Sequence, residues 1–522
     1  MKTGKVILVG AGPGDPGLIT LRGLRALQSA EVVVYDSLAS PQLLDEAPVA
    51  AERINAGKQG AQHTLEQSDI NALLYTKALE AKCVVRLKGG DPYVFGRGSE
   101  EAEYLVSRGI EVKVIPGIPA ALGASAYAGI PLTDRRCTTS VTFVTGHEDP
   151  SKETSLLQWE ALAKDTGTQV FYMGVKNLPL IAGKLVEHGK SAFTLVSIIE
   201  RATRPEQRTV TGTLQTIAAL ADKAGVRPPA LIIVGEVNRF HPALSWFSKQ
   251  PLFGKRIVVT RSAAQAYSLS TALREAGAHV IEAAVIRIVP LKDNGPLDSA
   301  VQRLGRYHWV VFTSVNGVDA FFDRVYASNA DARAFANIKI AAIGPATAER
   351  IRAKGLTPDF VPQKATSVSV FQELSEREEW MGKRLLLPRA DIAPGELPEN
   401  LRQAGAVVDE VDAYHTEAGD FDAETLKLEM EQGAIDAVTF TSSSTVRHFV
   451  ERLDPDFVSV QSQKFAAVSI GPETSKTMLQ YNMTIAAEAE VHTIPGVVQA
   501  LIRLFSDRAS LVSGTDKGKA SG

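Results

Sequence analysis

The segment GKRIVVTRS beginning at Gly254 recurs as GKRLLLPRA from Gly382, an offset of 128 residues. The offset persists: LREAGAHV from Leu273 returns as LRQAGAVV from Leu401, and FTSVNGV from Phe312 as FTSSSTV from Phe440. AIGPAT from Ala342 returns as SIGPET from Ser469, one residue early. Each copy reads as strand, basic loop, amphipathic helix ending at a glycine, then strand, Thr-Ser turn and helix, then strand and Gly-Pro turn. Two similar α/β lobes follow from this pattern. Such lobes bind ligands on the loops that leave their strands, where Arg261, Arg389, hydroxyls and backbone donors predict an anionic ligand. Ser314 and Ser442, in the Thr-Ser turns, are also suited to cap the helices that follow.

The first half of the chain has a different grammar. Val6 to Val9 reads as a buried parallel strand, followed by GAGPGDPG and a helix with Leu21, Leu24 and Leu27 on one face. The next apolar run, Val32 to Tyr35, ends in Asp36, which places a carboxylate at the carboxyl end of a strand. Further on, VVRLKGGDPYVFGRGSEE reads as a core strand (Val84, Val85, Leu87) delivering a loop at Gly89, Gly90 and Asp91, then a helix with acids in its first turn. Gly12, Gly14 and Gly17 have dinucleotide-fingerprint spacing. Pro13 and Pro16, however, remove backbone donors that a pyrophosphate would use, and Asp15 adds a negative charge. A cationic ligand fits better.

S-adenosylmethionine is such a ligand, with a sulfonium and no phosphate. VGAGPGDPGLIT, YDSL, VRLKGGDPYVFGRGSEE, IPGIPAALGASAYAGIPLT, VTGH, FYMG and PALIIVGEV occur in order over residues 1 to 245. This set resembles uroporphyrinogen-III C-methyltransferase, of the tetrapyrrole methylase family. The resemblance implies S-adenosylmethionine held between two α/β lobes by Pro13, Gly89, Gly90, Asp91, Val94, Ala120 and Met173, with Pro119 and Ala202 as neighbours. It implies Asp36 as proton acceptor and Lys58 as proton donor. A polycarboxylate acceptor calls for a basic face, for which Arg22, Arg25, Arg97, Arg135 and Arg136 join Lys58 as candidates; His63 and His147 are read as ordering loops. Pro119 stands where the family commonly has Thr, which removes a hydroxyl contact to the cofactor. Asp134 stands where it often has His, which alters the grip on acceptor carboxylates.

The repeated motifs, with DAYHTE from Asp412, resemble uroporphyrinogen-III synthase over residues 252 to 505. This implies two lobes joined by a two-stranded connection, and closure of linear hydroxymethylbilane with inversion of its last ring, without metal or cofactor. Thr347, Tyr414 and Thr474 match polar positions near that family's cleft, with Tyr414 a candidate proton donor to the departing hydroxyl. Where the family continues its last helix to a glycine, Tyr481 and Asn482 stand here, and Asn serves as a left-handed cap.

The expected organisation is α/β throughout: a two-lobed methylase fold over 1–245, a linker at 246–253, a two-lobed synthase fold with the internal repeat over 254–506, and a disordered tail over 507–522. The expected activity is conversion of hydroxymethylbilane to uroporphyrinogen III and its double methylation to precorrin-2, on the siroheme or cobalamin branch. Other readings stay open: a methylase for a later corrinoid intermediate, a non-catalytic ligand-binding second half, or a nicotinamide-dependent enzyme. With 56 Lys and Arg against 59 Asp and Glu, the charge of -3 gives no case for nucleic acid. Two cysteines, Cys83 and Cys137, are too few for a disulfide framework or thiolate metal site and suit the cytoplasm. No apolar run reaches membrane-spanning length, and the methylase resemblance implies a homodimer through that domain.

Overall fold

The structure is a computed structural model and describes residues 4–57, 65–146, 157–261, 263–364, 366–391, 395–419 and 421–516. The chain divides into two compact units, residues 1–255 with 276–279 and residues 256–275 with 280–522.

The first unit holds two five-stranded sheets. Strands β1 (Lys5–Gly10), β2 (Val32–Tyr35), β3 (Glu52–Asn55), β4 (Cys83–Lys88) and β5 (Glu111–Ile115) form an all-parallel sheet in the order β3-β2-β4-β1-β5. Its central strands are apolar on both faces because helices cover both: Val6, Leu8 and Val84 face one core cluster, Val9, Val85 and Leu87 another. Strands β6 (Val141–Thr145), β7 (Thr168–Tyr172), β8 (Leu195–Glu200), β9 (Arg208–Thr213) and β10 (Ala230–Val234) form a mixed sheet, β6-β7-β10-β8-β9. The helix Leu21–Gln28 departs from the expected face. Gly23, Ala26 and Leu27 are buried, whereas Leu21 is 72% exposed. Small residues let this helix lie close to β1, where a Cβ on Gly23 would come within 3.0 Å of Val9.

The second unit also holds two sheets. Strands β11 (Arg256–Val259), β12 (His279–Glu282), β13 (Ile286–Val289), β14 (Trp309–Phe312), β15 (Lys339–Ala342), β16 (Arg384–Ala390), β17 (Val407–Ala418), β18 (Ala437–Phe440), β19 (Ala466–Ser469) and β20 (Ile485–Glu488) sort into β12-β11-β18-β19-β20 and β13-β17-β16-β14-β15. The long β17 runs parallel to β16 and then antiparallel to β13. These two strands are therefore the connection by which the chain leaves one sheet and returns. Two lobes are present as expected, but neither lobe is one repeat. Each sheet combines the opening strands of one copy with the closing strands of the other.

Two further segments differ from the sequence expectation. Residues 246–253, read as a linker, include the helical turn Phe247–Lys249, and Phe247 and Leu252 are buried. At the other end the helix Ile494–Asp516 continues past 507, where the sequence suggested a tail. Ala509 and Leu511 are good helix formers, and the small polar residues around them hid that propensity. The Asn482 cap is present, at φ 56° after the helix Pro472–Gln480.

Candidate functional site

In the first unit β2 and β4 are neighbours, so the loops that leave their carboxyl ends meet. Asp36, one residue past β2, accepts from the N–H groups of Leu38 and Ala39 at 3.0 and 3.1 Å, and both its oxygens lie 3.3 Å from Gly89 N. Asp91 is 9% exposed, and its oxygens accept from Tyr93 N at 2.8 Å and Gly117 N at 3.0 Å. It thus ties the loop after β4 to the loop after β5. Gly12 and Gly90 exchange backbone hydrogen bonds, which adds the loop after β1. Gly90 has φ 68°, and the place of its missing Cβ lies 3.6 Å from Ala120 N, the nearest heavy atom. This leaves a backbone-lined opening over residues 118–120 that a side chain would fill.

The mixed sheet closes the other side. Val94, Ala120 and Ala202 pack against one cluster that includes Ala121, Ala124 and Tyr172. The Tyr172 hydroxyl accepts from Ala121 N at 3.0 Å, and burial raises its pKa. Met173, directly after β7, is 53% exposed at φ 54°, which argues against its being core filler. Phe95, Arg97, Arg201 and Thr203 also have left-handed backbone, at φ 54, 56, 48 and 66°. Five non-glycine residues in a costly conformation thus gather on the loops after β4, β7 and β8, as strained residues do at ligand clamps and active sites. Pro13 packs on the helix Ala120–Ala128, where a Cβ on Gly123 would lie 2.4 Å from Pro13 Cγ. Asp15, counted against a phosphate ligand, is engaged within the protein: it accepts from Gly17 N at 2.8 Å and from the Tyr127 hydroxyl at 2.5 Å. Burial, with Asp15 beside it, pushes that hydroxyl well above its ordinary pKa. Sequence reasoning missed Thr203, whose Oγ accepts from Asp15 N at 2.9 Å, and Arg204, which donates to Leu38 O at 3.0 Å. Nothing in RATRPEQR marks them, because their partners lie far away in the chain.

The basic candidates divide by pairing. Arg97 forms a two-pronged bond with Glu100 at 2.9 and 2.7 Å. Arg136 does the same with Asp134, both at 2.8 Å, and holds that carboxyl far below its usual range. Asp134 therefore occupies a guanidinium within the protein. Arg22, Arg25 and Arg135 are exposed and make no ion pair among the described residues. Lys58, His63 and His147 lie outside the described residues.

In the second unit the candidates lie at or just past the carboxyl ends of parallel strands. Ser314 and Ser442 cap their helices, accepting from Gly317 N and Thr445 N. The Tyr414 hydroxyl lies 3.1 Å from Ser314 Oγ while its ring is buried in the core. Thr347 and Thr474 occupy matching places in the first turns of the Gly-Pro helices, 4% and 3% exposed. Arg389 is 5% exposed and bonds Glu410 at 2.9 Å. Arg261 is half-buried at the end of β11, and burial lowers its pKa. The repeat predicts equivalent arginines. The structure gives Arg389 a carboxylate on the next strand, β17.

Among the described residues there is no cluster suited to a metal, and no helix is long and apolar enough to cross a membrane.

Residues 5–218 match the tetrapyrrole (corrin/porphyrin) methylases, and residues 267–499 match uroporphyrinogen-III synthase HemD. The porphyrin biosynthesis protein HemD of Ruminiclostridium josui is 36% identical over 508 residues, covering 97% of this chain and 99% of its own. The S-adenosyl-L-methionine-dependent uroporphyrinogen III methyltransferase of Methanosarcina barkeri is 56% identical over 241 residues, 46% of this chain and 94% of its own. A solved uroporphyrin-III C-methyl transferase of Thermus thermophilus, complexed with S-adenyl homocysteine, is 39% identical over 45% of this chain and 99% of its own, at a TM-score of 0.40. With one relative aligned across nearly its whole length and a family match in each unit, this chain belongs to the porphyrin-biosynthesis family in which a tetrapyrrole methylase is fused to a uroporphyrinogen-III synthase.

Proposed function

We propose that the chain is a bifunctional enzyme: its second unit closes hydroxymethylbilane to uroporphyrinogen III, and its first adds two methyl groups to give precorrin-2. The observation that carries this reading is the presence of both family matches on one chain, since one activity makes what the other consumes.

S-adenosylmethionine supplies an electrophilic methyl group on a sulfonium. The opening over Gly90, the loop residues Pro13, Gly89, Asp91, Val94, Pro119 and Ala120, the exposed Met173 and the half-buried Ala202 would hold it. A reduced pyrrole carbon is electron-rich enough to attack in line, so positioning supplies much of the rate. Asp36, fixed by three backbone donors, takes the proton that the methylated ring must lose, and Lys58 serves as donor. Arg22, Arg25 and Arg135 are ready for acceptor carboxylates, while Arg97 and Arg136 must exchange an internal carboxylate for one on the substrate. In the second unit Tyr414 with Ser314 assists departure of the hydroxyl, and Arg261, Thr347, Arg389 and Thr474 line the substrate side. The protein is read as a cytoplasmic homodimer joined through the methylase domain, with domain limits at 1–245 and 254–506.

The test supplies the purified chain with hydroxymethylbilane, with and without S-adenosylmethionine, and follows products by mass and isomer. The III isomer without cofactor, gaining two methyl groups with it, is expected. Formation of the I isomer alone, as in spontaneous closure, would refute the synthase assignment. Uroporphyrinogen III, added directly, then tests the methylase separately.

A further inference from the structure

We infer that His415, oriented by Asp391, is a catalytic proton-transfer residue for the ring closure; this rests on the synthase reading of the second unit. His415 Nδ1 lies 2.9 Å from Asp391 Oδ2, and Asp391 Oδ1 accepts from Thr416 N at 3.2 Å. Asp391 N also donates to Tyr414 O at 3.4 Å, so one backbone bond holds the residue's main chain and another its carboxylate. A carboxylate on Nδ1 fixes the proton there and leaves Nε2 as the exchanging nitrogen. The imidazole is 40% exposed and the carboxylate 28%, enough for Nε2 to meet a ligand.

The position is built, not incidental. Asp391 is the first residue past β16, at the carboxyl edge of a sheet whose β14, β15 and β16 run parallel, where such sheets place their ligands. The pairing of β16 with β17 slips between Arg389 and Ala390, which pair with Asp412 and Tyr414. Bulges of this kind re-aim side chains beside active sites. Adjacent strand residues face opposite sides, so Tyr414, on Ser314, and His415, on Asp391, address the same edge from two faces of β17. The charged groups beside His415 on the paired strands are Arg287 of β13 and Glu417 of β17, bonded to each other at 2.8 Å. Asp391 is thus left as the carboxylate that serves the imidazole.

The repeat provides an internal control. At the same offset of 128 residues, Asp391, Tyr414 and His415 correspond to Ala263, Ile286 and Arg287. Duplication of the fold therefore does not require the His–Asp pair, which stands in one lobe alone.

The chemistry needs such a group. Ring closure breaks the carbon–oxygen bond of the hydroxymethyl group, whose oxygen leaves as water after gaining one proton. Inversion of the last ring then forms two carbon–carbon bonds and breaks one: the ring is joined through its already substituted carbon, released from its original link there, and rejoined through its free carbon, which gives up one proton as the ring regains aromaticity. The protons balance, so a single imidazole donates in the first step and is recharged in the last, with no oxidant, reductant or further reactant.

The test measures III-isomer formation from hydroxymethylbilane by the full-length chain, wild type and the variants H415Q, H415A and D391N. Loss of a general acid–base group predicts a fall of about a hundredfold in both His415 variants, since such groups contribute about 10²–10⁴. D391N should fall less, and added imidazole should restore H415A about tenfold or more. The methyltransferase rate on supplied uroporphyrinogen III, and a melting transition equal to wild type, check that each variant is folded. Wild-type rates in H415Q, or a loss in H415A that imidazole does not restore, overturn the assignment while leaving the synthase reading intact. A wild-type chain that yields only the I isomer overturns both.

Discussion

Two mid-helix glycines make opposite predictions. In the helix Leu178–Glu187, Gly183 is exposed, and a Cβ there would meet nothing within 4 Å. Gly183→Ala should stabilise the first unit by about 0.5–1 kcal/mol, the usual conformational advantage of Ala. In the helix Ala120–Ala128, a Cβ on Gly123 would lie 2.4 and 2.8 Å from Pro13 side-chain atoms. Gly123→Ala must push the Pro13 loop away, costing about 1–3 kcal/mol of overpacking and weakening S-adenosylmethionine binding. Melting curves and calorimetric titration of both variants check this; equal effects would mean that Pro13 does not depend on the Gly123 contact. At this scale the sequence marked Pro13, Gly90 and Asp36 through their motifs. It did not reveal that Arg97 and Arg136 are each paired, because two-pronged bonds to Glu100 and Asp134 depend on local backbone geometry that the residue order alone does not specify. Nor did it mark Thr203 and Arg204, whose partners are more than 150 residues away.

At the scale of elements, β4 carries Arg86 and Lys88 in the interior, 3% and 4% exposed, against the fully buried Glu101 of the helix Gly98–Val106. Glu101 Oε1 takes Lys88 Nζ at 2.7 Å, Arg86 Nε at 3.3 Å and Gln67 Nε2 at 3.2 Å, joining a strand and two helices directly beneath the Gly89–Gly90 loop. Both cations are held inside the unit by this carboxylate. Glu101→Gln leaves two buried cations without their anion and should cost about 3–5 kcal/mol. Lys88→Met keeps the Arg86–Glu101 pair and should cost under about 1 kcal/mol by the same reasoning. Burial, then Arg86, lowers the Lys88 pKa below 10.5. In the alkaline range below 10.5 the unfolded chain therefore binds more protons at this residue than the folded one, so its contribution to stability rises with pH. Denaturant midpoints across that range should climb more in wild type than in Lys88→Met; parallel curves would show that Lys88 titrates normally.

For the whole molecule, the repeat correctly indicated two α/β lobes, but similarity along a chain does not say which strands pair. The two copies are exchanged between lobes. One core cluster combines Leu297, Val310, Phe312 and Phe321 from the first copy with Leu386, Ala413 and Tyr414 from the second. Another combines Val258, Ala283 and Val285 from the first with Phe440, Phe449 and Val450 from the second. Neither copy can bury its apolar strands alone, since β16 needs β14 beside it and β11 needs β18. A chain divided between the copies, as residues 1–381 and 382–522, should therefore behave asymmetrically. The first piece retains the methylase fold and its cofactor binding, but the synthase segments of both pieces remain unprotected in hydrogen exchange. On mixing, the exchanged strands should pair, protection should appear in β11, β14, β16 and β18 together, and III-isomer formation should return. Because pairing joins distant segments, its onset should be slow and concentration-dependent. A cooperative melt of residues 382–522 alone would mean that one copy suffices as a folding unit and that the exchange of strands adds nothing essential to either core.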